Sequence, residues 1–172
     1  MLSEIFSPRK NQVTAHRPRP ALDYTHDIKI PYKQGLILEL RHENRLILAA
    51  IGLLVARIRE NDIQTVRRLL VDLKRVLTDH FIKENVFLYV YIKALYREDE
   101  EKQGQLKELR REMSGVQALL LRFLNSYLNK NLIAVDLIPL GKELSVIGEV
   151  LVNRIRHEEQ QLYPLYLPPP AH

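Results

Sequence analysis

His80 and Glu84 stand four residues apart in the stretch Leu77-Thr78-Asp79-His80-Phe81-Ile82-Lys83-Glu84-Asn85. On a helix that spacing puts both side chains on one face, one turn apart. The other positions of the face are apolar: Leu73 and Leu77 before, Phe87 and Tyr91 after, at intervals of 4-3-4-3-4. An imidazole and a carboxylate therefore fall where core residues belong. Groups of this kind hold non-haem iron, manganese or zinc when enough of them converge in a dry interior. Without a metal, they must find partners inside the fold.

Further polar residues interrupt other apolar stripes. In the first helical pattern the stripe reads Leu38, His42, Leu46, Ala49, Leu53 and Ala56, which turns His42 inward. In the last pattern it reads Leu140, Leu144, Ile147, Leu151, Arg154, Glu158 and Leu162. On the third, Gln105 and Glu112 flank an apolar stripe of Leu106, Leu109, Met113, Val116, Leu120, Phe123 and Tyr127. In an antiparallel bundle His42, His80, Glu84 and Glu158 reach one level, with Glu112 as a further candidate. That is a ligand set for one metal ion or two. Arg154 argues for the alternative, a metal-free polar layer, because a guanidinium one turn before Glu158 can pair with Glu158 and Glu84.

Four amphipathic helices must position these groups. The patterns predict helices over about 34–59, 63–96, 101–128 and from about 136 to the prolines at 164 and 168–170. Asn61 or Asp62 is expected to cap the second helix and Asp136 the fourth, with Pro139 in its first turn. Acidic residues at 98–101 favour the start of the third. Helices of this length on short links imply an all-α, up-down-up-down four-helix bundle. The bundle is expected over 34–167, after an extended arm at 1–33 carrying Pro8, Pro18, Pro20 and Pro31, and before a proline-rich tail at 168–172. His16 and His26 fall in the arm and read as solvated.

Composition narrows the function classes. The chain has 172 residues, 46% apolar, 27% charged, with only 6 glycines, as expected of one globular helical domain. Net charge is +5, from 26 basic and 21 acidic residues interleaved along the helices. No basic face gathers to grip nucleic acid. The absence of cysteine excludes disulfides, thiolate ligands, iron–sulfur clusters and a cysteine nucleophile. No uncharged apolar run reaches the roughly 18 residues of a membrane span, and no signal-peptide core follows Met1. A cytoplasmic protein bound to neither membrane nor nucleic acid is expected. No phosphate loop or Ser/His/Asp arrangement points to an enzyme.

Three segments resemble the hemerythrin family, the four-helix bundles with the HHE cation-binding signature. They are His42 within Leu40-Arg41-His42-Glu43, the run His80-Phe81-Ile82-Lys83-Glu84, and Glu158-Glu159-Gln160-Gln161-Leu162-Tyr163-Pro164. The resemblance covers roughly 34–167. It implies a carboxylate-bridged diiron centre that binds or senses dioxygen or related oxidants, with Glu84 and Glu158 as the bridging carboxylates. The chain departs from that pattern in two places. It has no histidine between His80 and His157, and Arg154 stands where the family has a histidine four residues before the last glutamate. His157 lies about 100° around the helix from Glu158 and is expected to face outward. The run from Leu144 to Leu151, on to Arg154 and Glu158, is also similar to the last helix of the Rsd/AlgQ anti-sigma regulators, which bind a protein partner.

Two readings follow. In the first, a bacterial hemerythrin-like protein holds iron, as one ion or a pair, on His42, His80, Glu84 and Glu158. In the second, a metal-free bundle of the same fold regulates a protein partner, with Arg154 structural. Val86, Tyr89, Val90 and Lys93, on the far side of the second helix, would form a homodimer surface or lie beneath the N-terminal arm.

Overall fold

The computed structural model describes residues 30–169. The expected arm therefore lies largely outside the described residues, as do His16 and His26. The described chain is helical, without a strand. Helix α1 spans Leu36–Arg59, α2 Ile63–Lys83, α3 Tyr89–Leu95, α4 Glu100–Leu128 and α5 Leu137–His157. A π-helical turn at Glu84–Leu88 joins α2 to α3, so the three form one continuous rod, the second helix of the bundle. A second π turn at Glu158–Leu162 and a 3-10 turn at Tyr163–Leu165 prolong α5.

Each rod packs on the two beside it, α1 on α2 and α5, α4 on α2 and α5, which is the expected up-down-up-down bundle. Local chemistry sets the corners. The Asp62 carboxylate accepts from Thr65 N at 3.1 Å and that of Asp99 from Lys102 N at 3.0 Å, each satisfying an open N–H of a first turn. Asp136 behaves differently from expectation. Its carboxylate accepts from Ile133 N at 3.0 Å and closes a 3-10 turn at Ala134–Asp136 instead of capping α5.

The stripes of α4 and α5 lie where the spacing puts them. Leu106, Met113, Leu120, Phe123 and Tyr127 are buried on α4, and Leu140, Leu144, Ile147, Leu151, Arg154, Glu158 and Leu162 on α5 and its extension. On α1 the expected stripe is corrected. Leu38, His42, Leu46, Ala49 and Leu53 face solvent, and the buried face is Leu36, Leu40, Asn44, Ile47, Ile51 and Leu54. The helix carries two apolar stripes, and the one with five large aliphatic side chains goes in, because burial scales with apolar area.

On the second rod the π turn adds a residue to the helical repeat, so the inward sequence runs His80, Glu84, Leu88 and then Tyr91 and Ile92. Phe87, expected inside, is 44% exposed, and Leu88 is fully buried. Tyr89, expected on the outer side, is buried as well.

The core comes in two parts. One apolar cluster gathers Ile47, Leu54, Leu70, Leu77, Leu120, Leu124 and Leu144 with their neighbours. The other gathers Leu36, Leu40, Leu88, Ile92, Leu106, Met113 and Leu162. At its end Tyr32, Tyr91 and Tyr166 pack ring against ring, and the Tyr91 hydroxyl donates to Leu167 O at 2.8 Å.

The π turn fixes which side chains carry the second cluster. Leu88→Ala is expected to cost about 2–5 kcal/mol in chemical denaturation, and Phe87→Ala under about 1 kcal/mol. An uninterrupted α-helix would reverse the two values.

Candidate metal centre

Between the two apolar clusters lies a layer of buried polar groups: Asn44 from α1, His80 and Glu84 from the second rod, Arg154 and Glu158 from the fourth. Charged groups this deep need partners, since desolvating an unpaired ion costs several kcal/mol. Most of them have one.

Arg154 sits at the centre. Its Nη2 donates to Glu84 Oε2 at 2.5 Å, its Nε lies 2.7 Å from Glu158 Oε1, and Nη1 reaches Met113 O at 3.4 Å. The guanidinium also stands 5.1 Å from the Phe81 ring centroid, a cation–π distance. Glu158 is held from its other side: Asn44 Nδ2 and the Tyr163 hydroxyl each donate to Oε2 at 3.1 Å, and Asn44 Nδ2 is 3.0 Å from Tyr163 Oη. His80 Nδ1 meets Glu43 Oε2 at 2.8 Å, which turns Nε2 into the layer. Glu43 is itself paired with Lys83, and Lys83 with Glu39 at 2.5 Å.

Three ligand atoms stay open. His80 Nε2, Glu84 Oε1 and Glu158 Oε1 are buried and have no hydrogen-bond partner among the described residues. His80 Nε2 and Glu84 Oε1 are 3.4 Å apart, and all three residues offer atoms within 4.8 Å of one another. One nitrogen and two carboxylate oxygens at this separation suit a single divalent cation. They do not make up the ligand set of two. On α4 the groups at this level are the buried Met113 and the half-buried Gln117, whose Oε1 accepts from Asn85 Nδ2 at 3.3 Å.

Burial and the neighbouring Glu84 charge push the Glu158 carboxyl up to about 7, against the pull of Arg154, His80 and Asn44. For His80, burial opposes protonation, but the Glu84 and Glu43 carboxylates outweigh it and raise the imidazole above its ordinary value. Burial, with Glu158 beside it, keeps the Tyr163 hydroxyl protonated far above neutrality.

Local sequence explains the placement. Each buried carboxylate is the first residue of a π turn, Glu84 in Glu84–Leu88 and Glu158 in Glu158–Leu162. The two rods also repeat one spacing: Leu73, Leu77, His80, Glu84 and Leu88 match Ile147, Leu151, Arg154, Glu158 and Leu162, all buried. In that correspondence Arg154 mirrors His80. π turns concentrate at functional sites, where they re-aim side chains out of the ordinary helical repeat.

The structure brings His80, Glu84, Glu158 and Arg154 together and leaves two expected residues outside. His42 lies on the exposed face of α1, and Asn44, two residues on, takes the inward place. Glu112 is exposed on α4, where its Oε2 is 3.8 Å from Nδ1 of His157, also exposed. Asn44, Glu43 and Tyr163 complete the layer without being among the residues the spacing points to. Tyr163 does lie in the Leu162-Tyr163-Pro164 run; an asparagine in a helical stripe gives no comparable signal.

The family model described as the hemerythrin HHE cation-binding domain matches residues 36–166, most of the chain. No curated protein and no solved structure gives a significant match.

The electrostatics predict a pH dependence in chelator-treated protein. Glu158, raised above its ordinary 4.5, stabilises the fold most below pH 4.5, and that contribution is lost as pH rises through about 7. His80, raised above 6.5, acts in the same direction, its contribution full below pH 6.5 and lost above its folded value. Unfolding free energy should therefore fall between pH 5 and 8, and Glu158→Gln should flatten the lower half of that fall. Arg154→Leu, which strands both carboxylates, should cost about 3–5 kcal/mol at pH 8 and less at pH 5. Stability that climbs with pH across this window would contradict the charge assignment.

Proposed function

Because the chain belongs to the hemerythrin HHE cation-binding family, we propose that it binds one divalent metal ion, iron foremost, between its two apolar clusters. The ion serves to bind or sense dioxygen or a related oxidant. The observation that carries this reading is the set of three buried atoms without a hydrogen bond among the described residues, His80 Nε2, Glu84 Oε1 and Glu158 Oε1, the last in ion-pair contact with Arg154 Nε. Buried polar atoms in native proteins are rarely left without a partner, and three that converge point to a missing cation.

The surrounding residues have definable parts in this. Glu43 fixes the imidazole so that Nδ1 is engaged and Nε2 faces the layer. Asn44 and Tyr163 engage Glu158 Oε2, which leaves Oε1 beside Arg154 Nε. Arg154 supplies one positive charge against two carboxylates, and the charge left over favours a cation. Iron in this place brings redox chemistry toward oxygen species that none of these side chains possesses. An apolar cluster lies on either side of the layer. No helix among the described residues is long and apolar enough to cross a membrane. The reading is of a cytoplasmic binding or sensing protein, not an enzyme.

A second reading has its own support. Arg154 ties both carboxylates across the bundle and by itself supplies much of the charge a metal would bring. On that basis the protein is a metal-free module that works through its surface on a protein partner or a second copy of itself.

Metal content separates the two. Chain loaded anaerobically with ferrous iron and desalted is expected to retain about one ion, lost in Glu84→Gln and in His80→Ala and kept in His42→Ala. Elemental analysis with no retained iron, manganese or zinc would leave the metal-free module. Two ions per chain would overturn the single site.

A further inference from the structure

A cavity of about 280 Å³ runs from the surface between α4 and α5 to the polar layer. Its walls are apolar, with Leu109, Met113 and Val116 from α4 and Val150 and Leu162 from the fourth rod. Exposed Glu112 and His157 stand at its mouth. Its inner end is polar, formed by Tyr89, Arg154 and Glu158. An apolar cavity of about 150 Å³ suffices to take up benzene, so this one accommodates a ring with a substituent.

Two atoms at the inner end await a ligand. Tyr89 is 1% exposed, and its hydroxyl has no hydrogen-bond partner among the described residues. Glu158 Oε1 likewise makes no hydrogen bond, although Arg154 Nε lies close to it. A buried tyrosine hydroxyl normally finds a partner, and leaving one without is destabilising. Phenylalanine would fill the same space without that cost. The hydroxyl thus serves something other than packing.

We propose that this cavity is a binding site for a small neutral molecule with a ring or branched apolar body and a hydroxyl head. The head donates to Glu158 Oε1 and accepts from the Tyr89 hydroxyl, so that both open atoms are used at once. The body lies against Leu109, Met113, Val116 and Val150. Charge selects against an anionic head. Glu158 and Glu84 lie at or behind the inner end and Glu112 at the mouth, whereas Arg154 already donates to Glu84 and Met113 and contacts Glu158. The site differs from that of the proposed ion in its wall residues and in Tyr89 but shares Glu158 Oε1 with it, so head and ion compete for that oxygen, and the ligand does not need the ion to be bound.

The test uses the full chain in chelator, with three probes of one body and different heads: benzyl alcohol, toluene and benzoate. Binding is followed by calorimetry and by chemical shifts of the Met113 methyl group. Benzyl alcohol is expected to bind roughly tenfold tighter than toluene, as two modest net hydrogen bonds would give, and benzoate not measurably. Tyr89→Phe is expected to melt no lower than the parent chain and to lower benzyl alcohol binding toward that of toluene. Val116→Phe, which fills the cavity from α4, should abolish binding of all three. Equal binding of alcohol and toluene, binding of benzoate, binding that survives Val116→Phe, or no binding of any probe would each overturn the proposal. Iron retention is measured on other samples, so either result can fail without the other.

Discussion

Two carboxylates sharing one guanidinium in the middle of a helical bundle set the terms for everything around them. Glu84 and Glu158 are 0% and 2% exposed, and Arg154 contacts both. Each ion loses several kcal/mol of hydration there, and only close, multiple contacts return it. The structure supplies those contacts to the guanidinium and to Oε2 of each carboxylate. Asn44 and Tyr163 take one oxygen of Glu158, Phe81 lies under the guanidinium, and Met113 O accepts from its outer nitrogen. The bundle therefore has two apolar clusters and not one, because a layer of this polarity interrupts any continuous core.

The same constraint accounts for the helical irregularities. A straight α-helix carries its inward stripe by alternating steps of three and four. From Leu77 the second rod steps to His80, Glu84 and Leu88, and from Leu151 the fourth steps to Arg154, Glu158 and Leu162. Two successive steps of four exceed the α repeat, and both π turns fall on the second of them. The extra residue holds both carboxylates toward the layer and still brings leucine back to the core one turn later. Charge placement and backbone irregularity are one feature seen at two scales.

What could be read from the residues alone follows from how many inward faces each helix offers. The fourth helix has a single inward stripe, so its buried positions, Arg154 and Glu158 included, are legible one by one. The first helix has two stripes, and periodicity cannot choose between them. Its neighbours choose, and they bury Leu36, Leu40, Ile47 and Leu54 and turn His42 out. Asn44 was illegible for a related reason: an uncharged amide matters here only because Glu158 and Tyr163 arrive from the far end of the chain. Phe87 and Leu88 differ in the structure through hydrogen bonding of the backbone, which leaves no mark in side-chain spacing.

The layer also places an arginine among groups that could hold an ion. In the repeat common to the second and fourth rods, Arg154 stands where His80 stands, so one imidazole has its counterpart in a cation carried by the chain. The guanidinium takes Oε2 of Glu84 and approaches Oε1 of Glu158. It leaves Glu84 Oε1 facing His80 Nε2 at 3.4 Å, one corner of the layer that protein atoms do not close. A metal ion held there would meet an imidazole already oriented by Glu43 and would share Glu158 with Arg154. Affinity at such a site depends less on how many ligands survive than on how firmly the guanidinium holds that one oxygen. Arg154 also donates to Glu84 and to Met113 O, so Glu158 would not be its sole anchor if that carboxylate held an ion. The chain's own cation would then offset charge beside a metal instead of excluding it.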